Sequence, residues 1–147
     1  MAHDGVRMKG FLRGQIIDKK TGRIKGDTGW LQNSATATGL TNLAKLICGT
    51  TTNMPVASAQ IGTSFNSAST VLGGSANSLA AAGTSTSGTC TATFTASFDG
   101  SNGSLNLGAA GLVAANSALV AGQTFTSSEL ATNQSFSLTY QLRFATA

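Results

Sequence analysis

The chain has 147 residues, which fits one domain, and only 10% of them are charged against about 25% in an ordinary soluble domain. It has one histidine and two cysteines. Few side chains are therefore available for acid–base catalysis by histidine or for a cluster of metal ligands. The composition therefore argues against an enzyme, a resident metal or a cofactor. It favours a protein that works by contact with its neighbours.

The charged residues are concentrated near the start of the chain. Seven lysines and arginines lie in the first 25 residues, whereas the stretch from residue 46 to 147 carries only Asp99, Glu129 and Arg143. A weakly charged surface does little to repel a second copy. We therefore expect a homo-oligomer, either a dimer or a trimer.

The first element is a predicted basic hairpin within residues 1–35. Residues 6–17 alternate between two faces, and "DKKTGR" (18–23) supplies a turn in which Gly22 tolerates a positive φ. Ile24 and "DTGWLQNS" (27–34) return as the partner strand. Five cations lie along this hairpin and form the predicted docking patch: Arg13, Lys19, Lys20, Arg23 and Lys25.

The next element is the one predicted helix, at residues 38–48. Its apolar positions follow helical spacing and are Leu40, Leu43, Ala44 and Ile47. Thr38 is placed to cap the start, and Gly49 to close the end. We expect such a helix to cover one end of a β-rich body with this apolar stripe.

The remainder, residues 59–147, is predicted to supply the main strands of the fold. Strand patterns occur at 59–65, 89–98, 104–108, 111–115, 118–125 and 134–144. The intervening stretch 72–88 is rich in Gly, Ala and Ser and is predicted to be a loop. Short strands, one helix and no βαβ rhythm predict a single all-β domain, a β-sandwich or jelly roll with an N-terminal hairpin.

Two segments carry the clearest alternation, and we expect them together to form the centre of the fold. Residues 134–144 place Phe136, Leu138, Tyr140, Leu142 and Phe144 on one side. Residues 89–98 place Cys90, Ala92, Phe94, Ala96 and Phe98 on one side. This pattern predicts a buried Cys90, and both Cys48 and Cys90 are expected to be reduced and structural.

The remaining titratable groups do not form a recognisable site in the sequence. His3 lies near the N-terminus, and most of the acidic residues stand beside Gly or Lys in turn-like surroundings, where Asp is a good turn former. There is no phosphate-binding loop and no nucleophile elbow. The N-terminus has no apolar leader, and residues 109–122 are too short and polar to span a bilayer. We expect synthesis in the cytoplasm and no membrane partner.

The order of segments resembles a group of small virion proteins of tailed bacteriophages. The likeness rests on "GQIIDKKTGRIKGDTGWLQNSATATGLTNLAKLI" (14–47), "AQIGTS", "TATFTASF", "LGAAGLV", "LVAGQTF" and "QSFSLTYQLRF". Ile61, Gly62 and Thr63 match a turn of that group, although Ser64 replaces its glycine. Residues 109–113 stand where the group has Glu-Ala-Gly-Leu-Phe, without the acidic and aromatic residues. The resemblance implies a β-sandwich that is a structural part of a virion.

Three functions are therefore considered. The leading hypothesis is a capsid decoration, or cement, protein that binds the major capsid protein on the assembled head shell through the basic hairpin. The alternative is a tail-associated virion protein, a fibre-base or receptor-binding module that contacts tail proteins. The third is a nucleic-acid-binding module, which is disfavoured because only Phe11 and Trp30 supply aromatic rings near the basic residues.

Overall fold

The computed structural model describes residues 6–49, 55–65, 72–73, 77–80, 82–86, 90–100, 105–115 and 119–146. These ranges contain ten strands and one helix in two antiparallel layers, which confirms the all-β prediction. The elements are β1 (Val6–Asp18), β2 (Ile24–Asp27), β3 (Leu31–Ala35), α1 (Ala37–Ile47), β4 (Val56–Gly62), β5 (Asn77–Ala80), β6 (Ala82–Thr86), β7 (Thr91–Asp99), β8 (Leu105–Ala114), β9 (Leu119–Leu130) and β10 (Gln134–Thr146).

The front layer is built on β1 and β10, with β7 and β6 beyond β10 and β2 beside β1. The pairing of β1 with β10 is unbroken from Val6 opposite Thr146 to Asp18 opposite Gln134. Strand β10 pairs on its other edge with β7, with Phe136 opposite Phe98. The predicted alternation is confirmed, because Phe136, Leu138, Tyr140 and Leu142 are all buried.

The back layer has the order β5, β4, β8, β9, β3. Strand β3 belongs to both layers, because residues 31–33 pair with β1 while Ser34 and Ala35 pair with β9. At the other edge the chain passes from β5 to β6 across a single residue. The two layers are therefore tied together along both sides.

The space between the layers is filled by apolar side chains. The largest of the fully buried ones are Tyr140, Phe98, Phe136, Leu12, Ile61, Leu107 and Leu112. A smaller cluster of Leu72, Ala109 and Leu119, with Phe65 and Val113 against it, lies apart from this core. At roughly 1.5–3 kcal/mol for each large apolar side chain removed from water, the main core supplies most of the favourable free energy.

The predicted hairpin turn is confirmed in its details. The carboxylate of Asp18 accepts hydrogen bonds from the backbone N–H of Lys20 (2.9 Å) and of Thr21 (3.0 Å). The N–H of Gly22 donates to the carbonyl of Asp18 at 2.8 Å, and Gly22 has φ +71°. An aspartate that satisfies the turn and a glycine in the left-handed region together fix the register of β1 and β2.

Helix α1 lies where it was predicted, but its cap is Thr36 and the prediction of Thr38 was wrong. Thr36 has extended backbone geometry and its hydroxyl accepts from the N–H of Gly39 at 2.8 Å. The same threonine is 1% exposed, and its N–H donates to the carbonyl of Val120 at 3.0 Å. The tie to β9 thus decides which of the neighbouring threonines caps the helix. Gly49 follows the helix with φ +69°, as expected for a terminating glycine.

The predicted apolar stripe of α1 faces the core only in part, at Leu43. Leu40 is 51% exposed and Ile47 is 81% exposed, whereas Gly39 and Asn42 are buried. A Cβ on Gly39 would lie 2.1 Å from the carbonyl oxygen of Val120, so the helix approaches β9 on its glycine side. The close approach of the Gly39 backbone to β9 decides which face of α1 packs inward, and the spacing of the leucines does not. Part of the apolar stripe therefore faces solvent.

Three further predictions need correction. The stretch 72–88, predicted as a loop, contains β5 and β6, since pairing with β4 and β7 outweighs the low strand propensity of Ala, Ser and Gly. The segments 104–108 and 111–115 belong to one strand, β8. Cys90 is exposed, because it lies in the turn before β7 with φ +52°. Cys48 is also exposed, so neither cysteine is the buried structural residue that was expected.

Candidate docking surfaces at the two ends of the sandwich

The pairing register of the strands shows which residues lie at each of the two ends of the sandwich. At one end β1 begins beside the last residues of β10, and α1 lies over it with Leu43 and Leu46 around an apolar pocket shared with Met8 and Phe144. This is the helix end. At the other end lie the turn of residues 19–23, the end of β7 and the beginning of β10. This is the hairpin end.

Arg13, the first member of the predicted docking patch, is already bound within the molecule. Its Nε and Nη2 donate to the two carboxylate oxygens of Asp27 at 3.1 and 2.6 Å. Asp27 also accepts from Nε2 of Gln15 at 3.0 Å and from the N–H of Gly29 at 2.8 Å. The hydrogen bonds from Arg13, Gln15 and Gly29 hold the pKa of Asp27 far below its ordinary value. The Arg13 charge is therefore largely compensated.

Lys19 is likewise paired, with its ammonium group against the carboxylate of Asp99. The side chains of Lys20, Arg23 and Lys25 are exposed, and no ion pair among the described residues includes them. Lys25 acts on Asp18 only through space, as a minor cause of the lowered pKa of that carboxyl. The structure thus places all five predicted cations along one hairpin but leaves three of them without an ion-pair partner in the described chain.

The helix end holds a second set of cations, which the sequence analysis did not single out. Lys9 and Arg143 lie directly opposite one another on β1 and β10, and Arg7 lies two residues before Lys9 on the same face. All three are exposed. The Arg143 guanidinium lies 4.6 Å from the centre of the Phe11 ring, and its Nη2 donates to Gln141 at 2.7 Å. Like charges directly opposite on neighbouring strands are unfavourable for folding, so this arrangement has a cost.

The two ends differ sharply in net charge. The helix end carries Arg7, Lys9, Arg143 and, on α1, Lys45. The carboxylates of the described chain all lie in the hairpin half, and they are Asp18, Asp27, Asp99 and Glu129. For the described residues this gives +4 at the helix end, and five cations less four carboxylates, or +1, at the hairpin end. Strand alternation in the sequence indicates that Arg7, Lys9 and Arg143 lie on outward faces. Only the pairing of β1 with β10 shows that they lie together at one end.

Exposed apolar side chains accompany these cations. Leu40, Leu46 and Ile47 of α1 are among the large apolar residues with substantial exposure. Large exposed apolar side chains that lie together on a surface are a common mark of a protein-contact site. The helix end therefore combines uncompensated positive charge with apolar area.

No site for a metal ion emerges from the described ranges, because they bring no three His, Cys, Asp or Glu residues together. Nor does the described part of the chain contain a helix long and apolar enough to cross a membrane. Comparisons with protein-family models, with curated proteins and with solved structures find no match for this chain.

Proposed function

We propose that this chain is a virion structural protein of a tailed bacteriophage, a capsid decoration protein that binds the assembled head shell. The observation that carries the proposal is the helix end, where Arg7, Lys9 and Arg143 on the outward face of the front layer and Lys45 on α1 occupy the same end of the molecule as the exposed leucine and isoleucine side chains of α1. The bacteriophage assignment itself draws on the resemblance of the segment order described above.

The two components of the helix end have different roles in such a contact. The cations orient the protein on an acidic patch of the major capsid protein and raise the rate of association. The apolar side chains Leu40, Leu46 and Ile47 supply area that is removed from water on docking. Because the charge is uncompensated within the described chain, it does not have to be released from an internal partner first.

The front layer gives this contact a rigid support. Arg7 and Lys9 are held by the unbroken pairing of β1 with β10, and Arg143 is held between β1 and β7. A docking surface on paired strands loses less conformational freedom on binding than one on a loop. This is suited to a protein whose role is mechanical.

The test compares two triple variants that remove the same charge. One is Arg7→Ser, Lys9→Ser and Arg143→Ser at the helix end, and the other is Lys20→Ser, Arg23→Ser and Lys25→Ser at the hairpin end. Both are added to purified heads that lack the protein, and bound copies are counted by quantitative gel analysis over a range of salt. We expect at least a tenfold weaker apparent affinity for the helix-end variant and less than a twofold change for the other.

The reverse result would assign docking to the hairpin patch predicted from the sequence. Unchanged binding by both variants would remove the charge-based contact, and no binding of the unaltered protein to heads would remove the decoration function. A few copies found only on tails would support the tail-associated alternative instead.

A nucleic-acid-binding function is the second candidate, and one contact favours it. Phe11 lies on the same outward face as Lys9, with the Arg143 guanidinium over its ring. A ring among cations on a sheet surface can stack a base of a single strand. Retardation of single-stranded DNA that weakens with salt and is lost in Phe11→Ala would favour this function. Absence of retardation at low salt would exclude it.

A further inference from the structure

Strand β9 is paired along most of its length on one edge only, and on that edge the register breaks at residues 125–127. Its partner on that edge is β8, from Leu105 opposite Leu130 to Val113 opposite Leu119. On its other edge β9 pairs with β3 only at Ala121 and Gly122. From residue 123 to 130, no strand in the described part of the chain pairs with this second edge. Backbone donors and acceptors on such an edge are open to another strand.

A cleft runs along this unpaired edge. It has a volume of about 480 Å³ and lies between residues 124–128 of β9 and the end of β2 with the residues that follow it, Gly26, Asp27 and Thr28. Five consecutive residues of β9 line it, and the pairing register of β9 with β8 is broken at three of them, residues 125–127. The cleft therefore lies against an irregular part of β9. Four of those residues, at 124 and 126–128, are exposed.

The floor of the cleft is apolar. The rings of Phe125 and Phe136 are stacked with their centres 5.9 Å apart, and Ile16, Leu31 and Leu107 complete the floor. Gly14 makes room for this arrangement, since a Cβ there would lie 2.3 Å from Cζ of Phe136. An apolar side chain entering the cleft would thus find apolar surface beneath it.

The walls of the cleft carry almost no available charge. Thr28, Thr124 and Thr126 contribute hydroxyl groups, and so do Ser127 and Ser128. The Asp27 carboxylate is engaged by Arg13, Gln15 and Gly29. Beyond the cleft, Glu129 is exposed at the far end of the same edge, and no ion pair of the described chain includes it. The walls match a neutral occupant, with positive charge only at the Glu129 end.

We propose that this cleft receives an extended segment of a partner polypeptide, which pairs with residues 123–130 of β9 as an additional strand. The segment is uncharged along the cleft, has an apolar side chain at every second position, and carries a lysine or arginine beside Glu129. Backbone pairing supplies affinity, and the Phe125–Phe136 floor selects the apolar positions. This site is separate from the helix end and does not depend on the proposed function.

The probe is a capped peptide of alternating threonine and valine, eight residues long with a lysine added at each end. A control peptide has the same composition with the valines grouped together. Binding is followed by hydrogen exchange with mass spectrometry. We expect the alternating peptide to slow exchange at least tenfold in residues 123–130, without slowing it in β10, and the control peptide to have no effect.

Two variants locate the peptide. Gly26→Phe places a ring in the cleft and is expected to weaken binding at least tenfold. Lys25→Phe adds the same ring at the adjacent position, which does not line the cleft, and is expected to change binding less than threefold. Circular dichroism verifies that both variants are folded. If Gly26→Phe is unfolded, Thr126→Lys, which puts a charge on the exposed edge, takes its place with the same expectation.

Three outcomes would overturn the proposal. The first is unchanged exchange in residues 123–130 when the alternating peptide is added, and the second is protection of a different segment. The third is protection of this edge that grows with protein concentration in the absence of peptide, which would assign the edge to a second copy of the chain.

Discussion

The front and back layers reach the same kind of core by different means. In the front layer one face meets the core and the other meets solvent, so β10 alternates between buried apolar and partly exposed polar residues. In the back layer residues 107–112 of β8 are buried without a break. The second face of β8 is covered too, because Ala109 packs in the cluster that contains Leu72 and Phe65.

The layers also differ in the size of their side chains. The front layer contributes the aromatic residues Phe98, Phe136 and Tyr140, whereas β8 contributes no aromatic residue and three buried alanines, Ala109, Ala110 and Ala114, beside its leucines. A strand with one covered face shows a period of two in its sequence, and a strand with two covered faces shows a continuous apolar run. Large residues in the front layer should therefore be sensitive to truncation, and small ones in the back layer to enlargement.

The largest expected effect is truncation in the front layer. Phe98 is 0% exposed, so Phe98→Ala should lower the free energy of unfolding by about 3–5 kcal/mol. The neighbouring Ser97 is exposed, and Ser97→Ala should change it by less than about 0.5 kcal/mol. Guanidinium chloride unfolding of both variants measures the difference. Equal effects would mean that the front layer does not have one buried and one open face.

Enlargement in the back layer should have the next largest effect. Ala110 is 0% exposed between β4 and β9, so Ala110→Leu should destabilise the fold by about 1–3 kcal/mol. Ala115→Leu, in the exposed turn that follows β8, is the matched control and should be nearly neutral. The same unfolding measurement applies. A neutral Ala110→Leu would show that the back layer is loosely packed.

A smaller effect on the free energy of unfolding is expected at Tyr140 in the front layer. Its side chain is 0% exposed and its buried hydroxyl has no hydrogen-bond partner among the residues that the structure describes. Tyr140→Phe should therefore leave stability unchanged or raise it by about 1 kcal/mol. A loss of more than about 1 kcal/mol would reveal a bound water or another partner for the hydroxyl.

The same burial predicts a pH dependence. Burial raises the pKa of Tyr140 well above its ordinary value. The unfolded chain releases the phenolic proton near pH 10 while the folded chain retains it, so stability falls as the pH rises above about 10. Tyr140→Phe should remove this part of the alkaline loss. Thermal unfolding at pH 8 and pH 11 compares the two proteins.

The smallest expected effect concerns Asp27, on the open face of the front layer. Its pKa is lowered, chiefly by the hydrogen bonds from Arg13 and Gln15. Stability from this group is present above the unfolded pKa of about 3.9 and is lost as the pH falls below it. Asp27→Asn should make thermal stability less dependent on pH between about 2 and 5. An identical acid profile would show that the contacts of Asp27 do not stabilise the folded state.

The sequence predicts the front layer better than the back layer, for physical reasons. The alternation of β1, β7 and β10 follows directly from one buried face. The strands β5 and β6 could not be found this way, because Ala, Ser and Gly carry little strand propensity and the pairing comes from distant neighbours. The orientation of α1 depends on the contact of Gly39 with Val120, which helical spacing does not encode.

The same contrast between local sequence pattern and long-range pairing applies to the candidate docking surfaces. The five hairpin cations are visible in the sequence, but the partners of Arg13 and Lys19 are not, since Asp99 lies 80 positions from Lys19. The helix-end cations require Arg143 to be placed opposite Lys9. Local patterns thus identify which charges are present, and only the long-range register shows which of them remain available.

The central position of β10 has a consequence for synthesis on the ribosome. Until β10 has emerged, β1 lacks the neighbour on one of its edges and β7 lacks the strand that joins it to β1. Val6 and Thr146 must then find each other across nearly the whole chain, and such distant pairing is slow. The nascent polypeptide therefore carries a half-built sheet until residues 134–146 leave the exit tunnel, and chaperone occupancy should fall abruptly at that point.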